Sequence, residues 1–134
     1  MVKVAIVDNE RKQAKIIAEY LDELSETYHI EYDIYLSGDE LLEHYHRVTP
    51  EDFYDIAFLA VDVGDNNGLA VGNEIRKFDT LTSIVLVTND EKYIKGSFDC
   101  NPSDYLVKPV SKDEFFKVFK EALAFYKVTV PVKY

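Results

Sequence analysis

The chain has a single cysteine, Cys100, so no intrachain disulfide can form, and a reducing cytoplasm is the expected compartment. It has no tryptophan, and its ten tyrosines carry no functional message by themselves. No apolar run approaches the ~20 residues of a membrane span. The opening "MVKVAIVDNE" is too short and too soon charged for a signal peptide. Positive charge is scarce. Fifteen Lys and Arg against twenty-five Asp and Glu give a net charge of −10, which disfavours nonspecific binding of this domain to DNA or to an anionic membrane. A basic partner, or a DNA-binding domain elsewhere in a longer chain, stays compatible with that charge. There is no internal repeat, no low-complexity segment and no linker dividing the chain. Its 134 residues fit one domain, and 47% hydrophobic with 30% charged residues is ordinary for a globular protein.

What is present is an alternation of strand and helix patterns. "VKVAIV" (2–7) is a short apolar, β-branched run and reads as a first strand. From Glu10 to about Glu26, Ala14, Ile17, Ala18, Leu21 and Leu24 recur at helical spacing and predict one buried face. "YHIEYDIYL" alternates and predicts a second strand. "SGDELLEHYHRV" opens on the capping residue Ser37 and predicts a shorter helix. "YDIAFLAV", "TSIVLVT" and "SDYLVK" predict three further strands. "GLAVGNEIRKF" predicts a third helix, and "DEKYIKGSFDC" a fourth, weakened by Gly96. "SKDEFFKVFKEALAFYK" predicts a fifth, opened by a Ser111–Glu114 capping box. From Lys127 onward the chain is expected to be extended, either as a tail or as the start of a linker. The first, third and fourth strands are apolar throughout, as expected where both faces are covered. This pattern predicts an α/β fold, a doubly wound five-stranded parallel sheet. The order 2-1-3-4-5 follows because the polar, alternating second strand suits an edge.

In such sheets ligands bind beyond the carboxyl ends of the strands, where the order reverses. The residues just past those ends are Asp8, Asn9 and Glu10 after the first strand and Asp62 and Asp65 after the third. Thr88, Asn89 and Asp90 follow the fourth strand, and Lys108 with Pro109 the fifth. Acids from two strand ends can hold a divalent cation through oxygen, and a hydroxyl with an ammonium can hold phosphoryl oxygens. "HYH" at 44–46 is a weak metal signal, because adjacent helix positions do not face one another.

This constellation resembles the receiver domain of bacterial two-component response regulators. The resemblance spans about residues 2–126 and rests on "IVDNE", "FLAVDVGDNNGLAVGNEIR", "IVLVTND" and above all "DYLVKPV". With "FDCNPSDYLVKP", it is most similar to receivers that carry a LytTR-type DNA-binding domain. The family pattern implies the flavodoxin-like fold, an aspartate phosphorylated at the end of the third strand, assistance by Mg²⁺, and a Thr–Tyr pair that relays the change to a face made of helix 4, strand 5 and helix 5. It implies no enzyme in the usual sense. On this pattern Asp8 matches the first acid after strand one, and Asn9 stands where the family has a second, metal-binding carboxylate. Thr88 matches the hydroxyl that contacts the phosphoryl group, Tyr105 the switching aromatic, Lys108 the lysine and Pro109 its cis-peptide partner. Counting back from Gly68, the phosphoacceptor falls on residue 60, which is alanine. Asp62 falls where the family lends a backbone carbonyl to the metal.

An alanine offers neither nucleophile nor metal ligand, so the acyl phosphate cannot form at residue 60. With Asn9 uncharged as well, Mg²⁺ binding by Asp8 and Asp62 is expected to be weak or absent. Two origins of Ala60 stay open. One is natural divergence to a pseudo-receiver, favoured by Asn9 and by the missing proline in "DVGDNNG"; the other is a deliberate Asp→Ala substitution. Asp62 is a poor substitute acceptor, since a two-residue step moves its carboxylate about 6–7 Å along a strand. A role for Asp62 or Asp8 as the counter-ion of Lys108 fits better.

The expected function is therefore a receiver or pseudo-receiver domain that regulates transcription through protein contacts, without phosphorylation at residue 60. The alternative is a conventional phosphorylated receiver. Expected partners are a sensor histidine kinase or other signalling protein, an output DNA-binding domain outside this chain, and a second copy through helix 4, strand 5 and helix 5. No direct nucleic-acid or membrane contact by this domain is expected. A flavodoxin-like cofactor binder would need a phosphate-cradling loop after the first strand. "DNERKQ" has no glycine, serine or threonine and presents acids to an anion.

Overall fold

A computed structural model describes residues 1–61, 68–93 and 100–129. The strands are β1 (Val2–Val7), β2 (Ile30–Tyr35), β3 (Ile56–Val61), β4 (Ser83–Thr88) and β5 (Asp104–Val107). The helices are α1 (Arg11–Leu24), α2 (Gly38–Arg47), α3 (Gly68–Arg76) and α4 (Lys112–Thr129). Here α4 is the fifth helix of the sequence reading. Of the expected fourth helix over residues 90–100, only a 3₁₀ turn at Glu91–Tyr93 falls among the described residues before Cys100. A second 3₁₀ turn, Pro50–Asp52, was not legible in the sequence. The helix α4 continues to Thr129, so the extended stretch expected from Lys127 begins no earlier than residue 130, outside the described residues. No helix among the described residues is long and apolar enough to cross a membrane.

All strand pairs are parallel and the order is β2-β1-β3-β4-β5, as the sequence pattern predicts. Edge strand β2 is partly exposed along its length, whereas β3 and β4 are buried at every position. Strand alternation divides the core into two layers. Val4, Ile6, Phe58, Val85 and Val87 face α1 and α4, where they meet Ile17, Leu21, Phe115 and Phe119. Ala5, Leu59, Val61, Ile84 and Leu86 face α2 and α3, where they meet Leu41, Val71 and Ile75. Phe58 and Phe115 stack across the first layer at 4.9 Å between ring centres. Burying each such side chain contributes roughly 1.5–3 kcal/mol. The Ser83 hydroxyl donates to the Ala122 carbonyl (2.8 Å) and fastens α4 to the sheet.

Caps read from the sequence are in place. The Glu40 N–H donates to Ser37 Oγ (3.3 Å) and the Glu114 N–H to Ser111 Oγ (3.2 Å). Gly68, at the start of α3, is required by close approach. A Cβ there would lie 2.7 Å from the Ala60 carbonyl oxygen and 3.0 Å from Leu59 Cβ. This glycine sets how closely α3 seats on the end of β3, and hence the height of residue 60 on the rim.

Because the obstructing atom at Gly68 is backbone, Gly68→Ala is expected to destabilise the fold by about 1–3 kcal/mol despite the better helix propensity of alanine. Urea unfolding at unchanged m-value measures it; an unchanged or raised midpoint would contradict the packing described.

Candidate functional site

The carboxyl ends of β1 and β5 are joined by a buried ion pair. Asp8 follows the last residue of β1, and Lys108 follows the last residue of β5. Lys108 Nζ lies 2.9 Å from Asp8 Oδ2, with side-chain exposures of 3% and 2%. Since β3 and β4 lie between β1 and β5, the pair spans the rim above both. The other oxygen, Asp8 Oδ1, accepts the Glu10 N–H at 2.9 Å. That Asx turn bends the chain out of β1 and into α1, whose N-cap, Glu10, makes no side-chain cap of its own. Glu10 brings a second carboxylate to Lys108 at 3.3 Å, though half exposed. Asn9 is exposed.

Ala60 sits one residue before the end of β3, in register with Val87, and its neighbour Val61 is in register with Thr88. Alternation puts residue 60 on the α1 and α4 side, in line with Ile56 and Phe58. Thr88 is fully buried. Its Oγ1 donates to the Asp90 carbonyl (3.0 Å) and accepts the Asp90 N–H (3.2 Å), a closed local turn. The Lys108 N–H donates to the Thr88 carbonyl at 2.7 Å, which ties the ends of β4 and β5 together. The Lys108–Pro109 peptide is cis, as the resemblance implies. Tyr105 lies on edge strand β5, 44% exposed, in register with Leu86, two residues before Thr88. Asp62 and Asp65 lie outside the described residues, so the choice between Asp8 and Asp62 as counter-ion is answered for Asp8 alone.

The structure thus brings Asp8, Glu10 and Lys108 together and sets Ala60 and Thr88 on the same rim. Tyr105 is exposed on β5, further from the rim by two residues than Val107. Glu10 was noted in the sequence without a role; the run "DNE" places it two residues past Asp8, which is the one signal that could have marked it. A hard divalent cation takes six or more oxygen ligands, several of them carboxylates. Here one Asp8 oxygen is on Lys108 and the other on a backbone N–H, Glu10 leans on the same ammonium, Asn9 is neutral and Ala60 has no donor. Among the described residues no group of three or more His, Cys, Asp or Glu could hold a metal. The described donor set does not fit Mg²⁺. His44 and His46 of "HYH" do not converge either: His44 Nε2 meets the Asp52 carbonyl (3.0 Å), while His46 packs edge-on against Phe78.

A second polar cluster was not foreseen. Arg76, in the last turn of α3, donates from Nε to the Cys100 carbonyl (2.7 Å) and from Nη2 to the Asn101 carbonyl (3.1 Å). It thereby holds the approach to β5, where Asn101 adopts a left-handed φ of 48°. Asp79 accepts the N–H groups of Leu81 and Thr82, and burial nonetheless pushes its carboxyl above the usual range. Burial first, and Asp79 second, raise the neighbouring Tyr45 hydroxyl.

Residues 4–120 match the family model described as response regulator receiver domain. Transcriptional regulatory protein LytR of Staphylococcus aureus is 38% identical over 56 residues, which are 42% of this chain and 23% of that protein. Sensory transduction protein LytT of Bacillus cereus is 27% identical over 127 residues, 90% of this chain and 47% of that protein. The matches thus span less than half the length of these curated relatives. Among solved structures, response regulator protein TrrA of Thermotoga maritima, in complex with Mg²⁺–BeF, superposes with a TM-score of 0.76. It is 27% identical, with 92% of this chain and 100% of that chain covered.

The ion pair generates a stability prediction. Asp8→Asn keeps the shape but removes the buried carboxylate 2.9 Å from Lys108 Nζ, and is expected to cost about 3–5 kcal/mol. Glu10→Gln should cost no more than about 1 kcal/mol. An apolar double replacement, Asp8→Leu with Lys108→Met, should recover most of the loss. Denaturant unfolding of the variants checks the ranking; equal effects of Asp8→Asn and Glu10→Gln would refute the assignment of Asp8 as the principal counter-ion.

Proposed function

The chain belongs to the response regulator receiver domain family, and on that premise we propose a receiver module that signals through protein contacts without accepting a phosphoryl group at residue 60. One observation carries this reading. The phosphoacceptor position of the family pattern is filled by Ala60, a methyl on the rim, while Lys108 is already neutralised by Asp8 and Glu10. Acyl-phosphate formation needs a carboxylate oxygen to attack phosphorus, and a methyl has no lone pair to give. An incoming phosphoryl group would also have to draw Lys108 away from a buried partner. The weak or absent Mg²⁺ site follows from the same missing oxygens at residues 9 and 60, with Asp8 and Asp62 left as its acids.

The retained parts have a role in this reading. Thr88 and Tyr105 remain as the switch pair, and a change at the rim would reach Tyr105 through the Thr88–Asp90 turn. We assign the output surface, for a second copy or for an output domain, to β5 and α4 together with the expected fourth helix, most of which lies outside the described residues. We assign residues 1–126 to the receiver and the residues beyond to a tail or linker. The LytR and LytT names and their greater length support a transcriptional role in the cytoplasm, with a DNA-binding domain outside this chain and a sensor kinase or other signalling protein upstream. The competing reading is a conventional receiver, with Asp62 as acceptor or with residue 60 substituted. The Mg²⁺–BeF complex of TrrA, and the retention of Thr88 and Lys108 here, favour keeping it in view.

Incubation with acetyl phosphate, or with beryllofluoride and Mg²⁺, is expected to leave the intact mass and the NMR shifts of Thr88 and Lys108 unchanged. A stoichiometric phosphoryl adduct mapped to Asp62 would overturn the reading. Ala60→Asp should lower thermal stability in the absence of Mg²⁺. At an effective dielectric of ~20, each close pair of like charges costs a few kcal/mol, offset in part by Lys108. Millimolar Mg²⁺ should restore much of that stability. Phosphorylation of Ala60→Asp should be slow, and faster once Asn9→Asp restores a metal carboxylate. Equal rates in the single and double variants would show that Asn9 is no impairment and that Ala60 alone separates this chain from a conventional receiver.

A further inference from the structure

Away from the rim, α1 breaks a local rule. Its sequence, "RKQAKIIAEYLDEL", places Arg11, Lys12 and Lys15 in the first half and Glu19, Asp22 and Glu23 in the second. There is no acid in the first turn and no base in the last. A helix carries partial positive charge at its N-terminus and negative at its C-terminus, so these side chains add to the macrodipole instead of opposing it. Arg11 with Lys15, and Glu19 with Glu23, are also like charges at i, i+4. Within the chain Glu23 is offset by Lys112 of α4 (3.1 Å), but the conflict along Arg11, Lys15 and Glu19 is not, and such local conflicts mark surfaces whose compensation lies elsewhere.

The exposed members of this pattern border a groove. Between α1 and edge strand β2 runs a cleft of about 620 Å³, rimmed by Arg11, Lys15, Glu19 and Asp22 and floored by alanines of α1. Ile34 closes its β2 side and is 44% exposed. Asp22 accepts the Tyr32 hydroxyl (2.9 Å), but Arg11, Lys15 and Glu19 join no ion pair among the described residues. The cleft is therefore apolar inside, basic at one end and acidic at the other.

We infer that this groove receives a second copy of the chain, with the two α1 helices antiparallel about a two-fold axis beside Ile17. A two-fold contact must be self-complementary, and this one is. Residues 11 and 22, and residues 15 and 19, are centred on nearly the same point of the helix. Arg11 of each copy then faces Asp22 of the other, Lys15 faces Glu19, and the two macrodipoles oppose. Ile34 of both copies is covered. A foreign helix of one charge sign would satisfy only half of the stripe. Direct pairing of the two β2 edges is the poorer two-fold arrangement, because exposed Glu31 and Asp33 would meet their own copies. The contact uses neither residue 60 nor the β5–α4 surface, so it stands or falls separately from the phosphorylation reading.

Sedimentation velocity on the chain, with charge-swap variants, tests it. The unaltered chain should dimerise at low ionic strength and more weakly as NaCl is raised. Arg11→Glu/Lys15→Glu, and separately Glu19→Lys/Asp22→Lys, should each raise the dimer Kd by about tenfold or more. An equimolar mixture of the two variants should regain association as a heterodimer, since a stripe at residues 11, 15, 19 and 22 that is acidic throughout then meets one that is basic throughout. The melting temperature of Arg11→Glu/Lys15→Glu should not fall, because the new acids sit at the positive end of the helix. Glu19→Lys alone, which breaks no intrachain hydrogen bond described, should act in the same direction as its double variant. A strict monomer at ~100 µM, a concentration that detects weak, mid-range affinities, would overturn the inference and leave the groove to a different protein. Failure of the mixture to associate would also overturn it. So would a dimer lost on Lys117→Glu but not on Arg11→Glu/Lys15→Glu, since Lys117 lines the β5–α4 surface and that outcome assigns the contact there.

Discussion

Two charges taken out of water within 2.9 Å of each other, Lys108 and Asp8, determine what the rest of this rim can do. Desolvation costs several kcal/mol per ion, and only close pairing with further hydrogen bonds offsets it. Both conditions are met. Asp8 also accepts the Glu10 N–H, and Glu10 supplies a second carboxylate at the solvent side. The pair joins strands that two others separate, so the rim keeps its shape only while β1 and β5 hold their register with β3 and β4. In this balance an alanine at residue 60 is electrostatically quiet. Among the described residues, the Lys108 ammonium meets the buried Asp8 and the half-exposed Glu10 carboxylates, and no group of three or more acids, His or Cys could hold a cation. A third carboxylate at residue 60 would upset that balance, and a metal would be the natural remedy.

The consequence reaches the switch elements by geometry. Thr88 closes a turn on Asp90, and the Lys108 N–H donates to the Thr88 carbonyl, so the ends of β4 and β5 are tied together. Tyr105, two residues inside β5 from Val107, lies exposed on the outer strand. Arg76 holds the approach to β5 from the other side of the sheet through the Cys100 and Asn101 carbonyls. The region that would relay a signal is thus anchored at both ends of β5. The charge pattern of α1, at the opposite edge of the sheet, belongs to a different contact and spends local stability on it.

How much of this was legible follows from the range of each interaction. Apolar runs and their period are properties of neighbouring residues, and they predicted five parallel strands, the order of the sheet and the edge position of β2. The rule that sites lie past carboxyl strand ends then pointed to Asp8, Thr88 and Lys108 before any contact was known, and the resemblance to receiver domains marked Ala60. The chemical poverty of residue 60 is also a statement about one side chain, which no fold can alter. The sequence by itself therefore determined the fold class, the place of the rim and what cannot happen at Ala60. Only the tertiary structure placed Asp8 and Glu10 against Lys108. Lys108 and Glu10 are 98 residues apart, and no periodicity links them. The same holds for the Arg76 clamp, for the close seat of Gly68 against the Ala60 carbonyl, and for the α1–β2 cleft. These depend on distances set by sheet twist and helix packing, which bring together groups that the chain order keeps far apart.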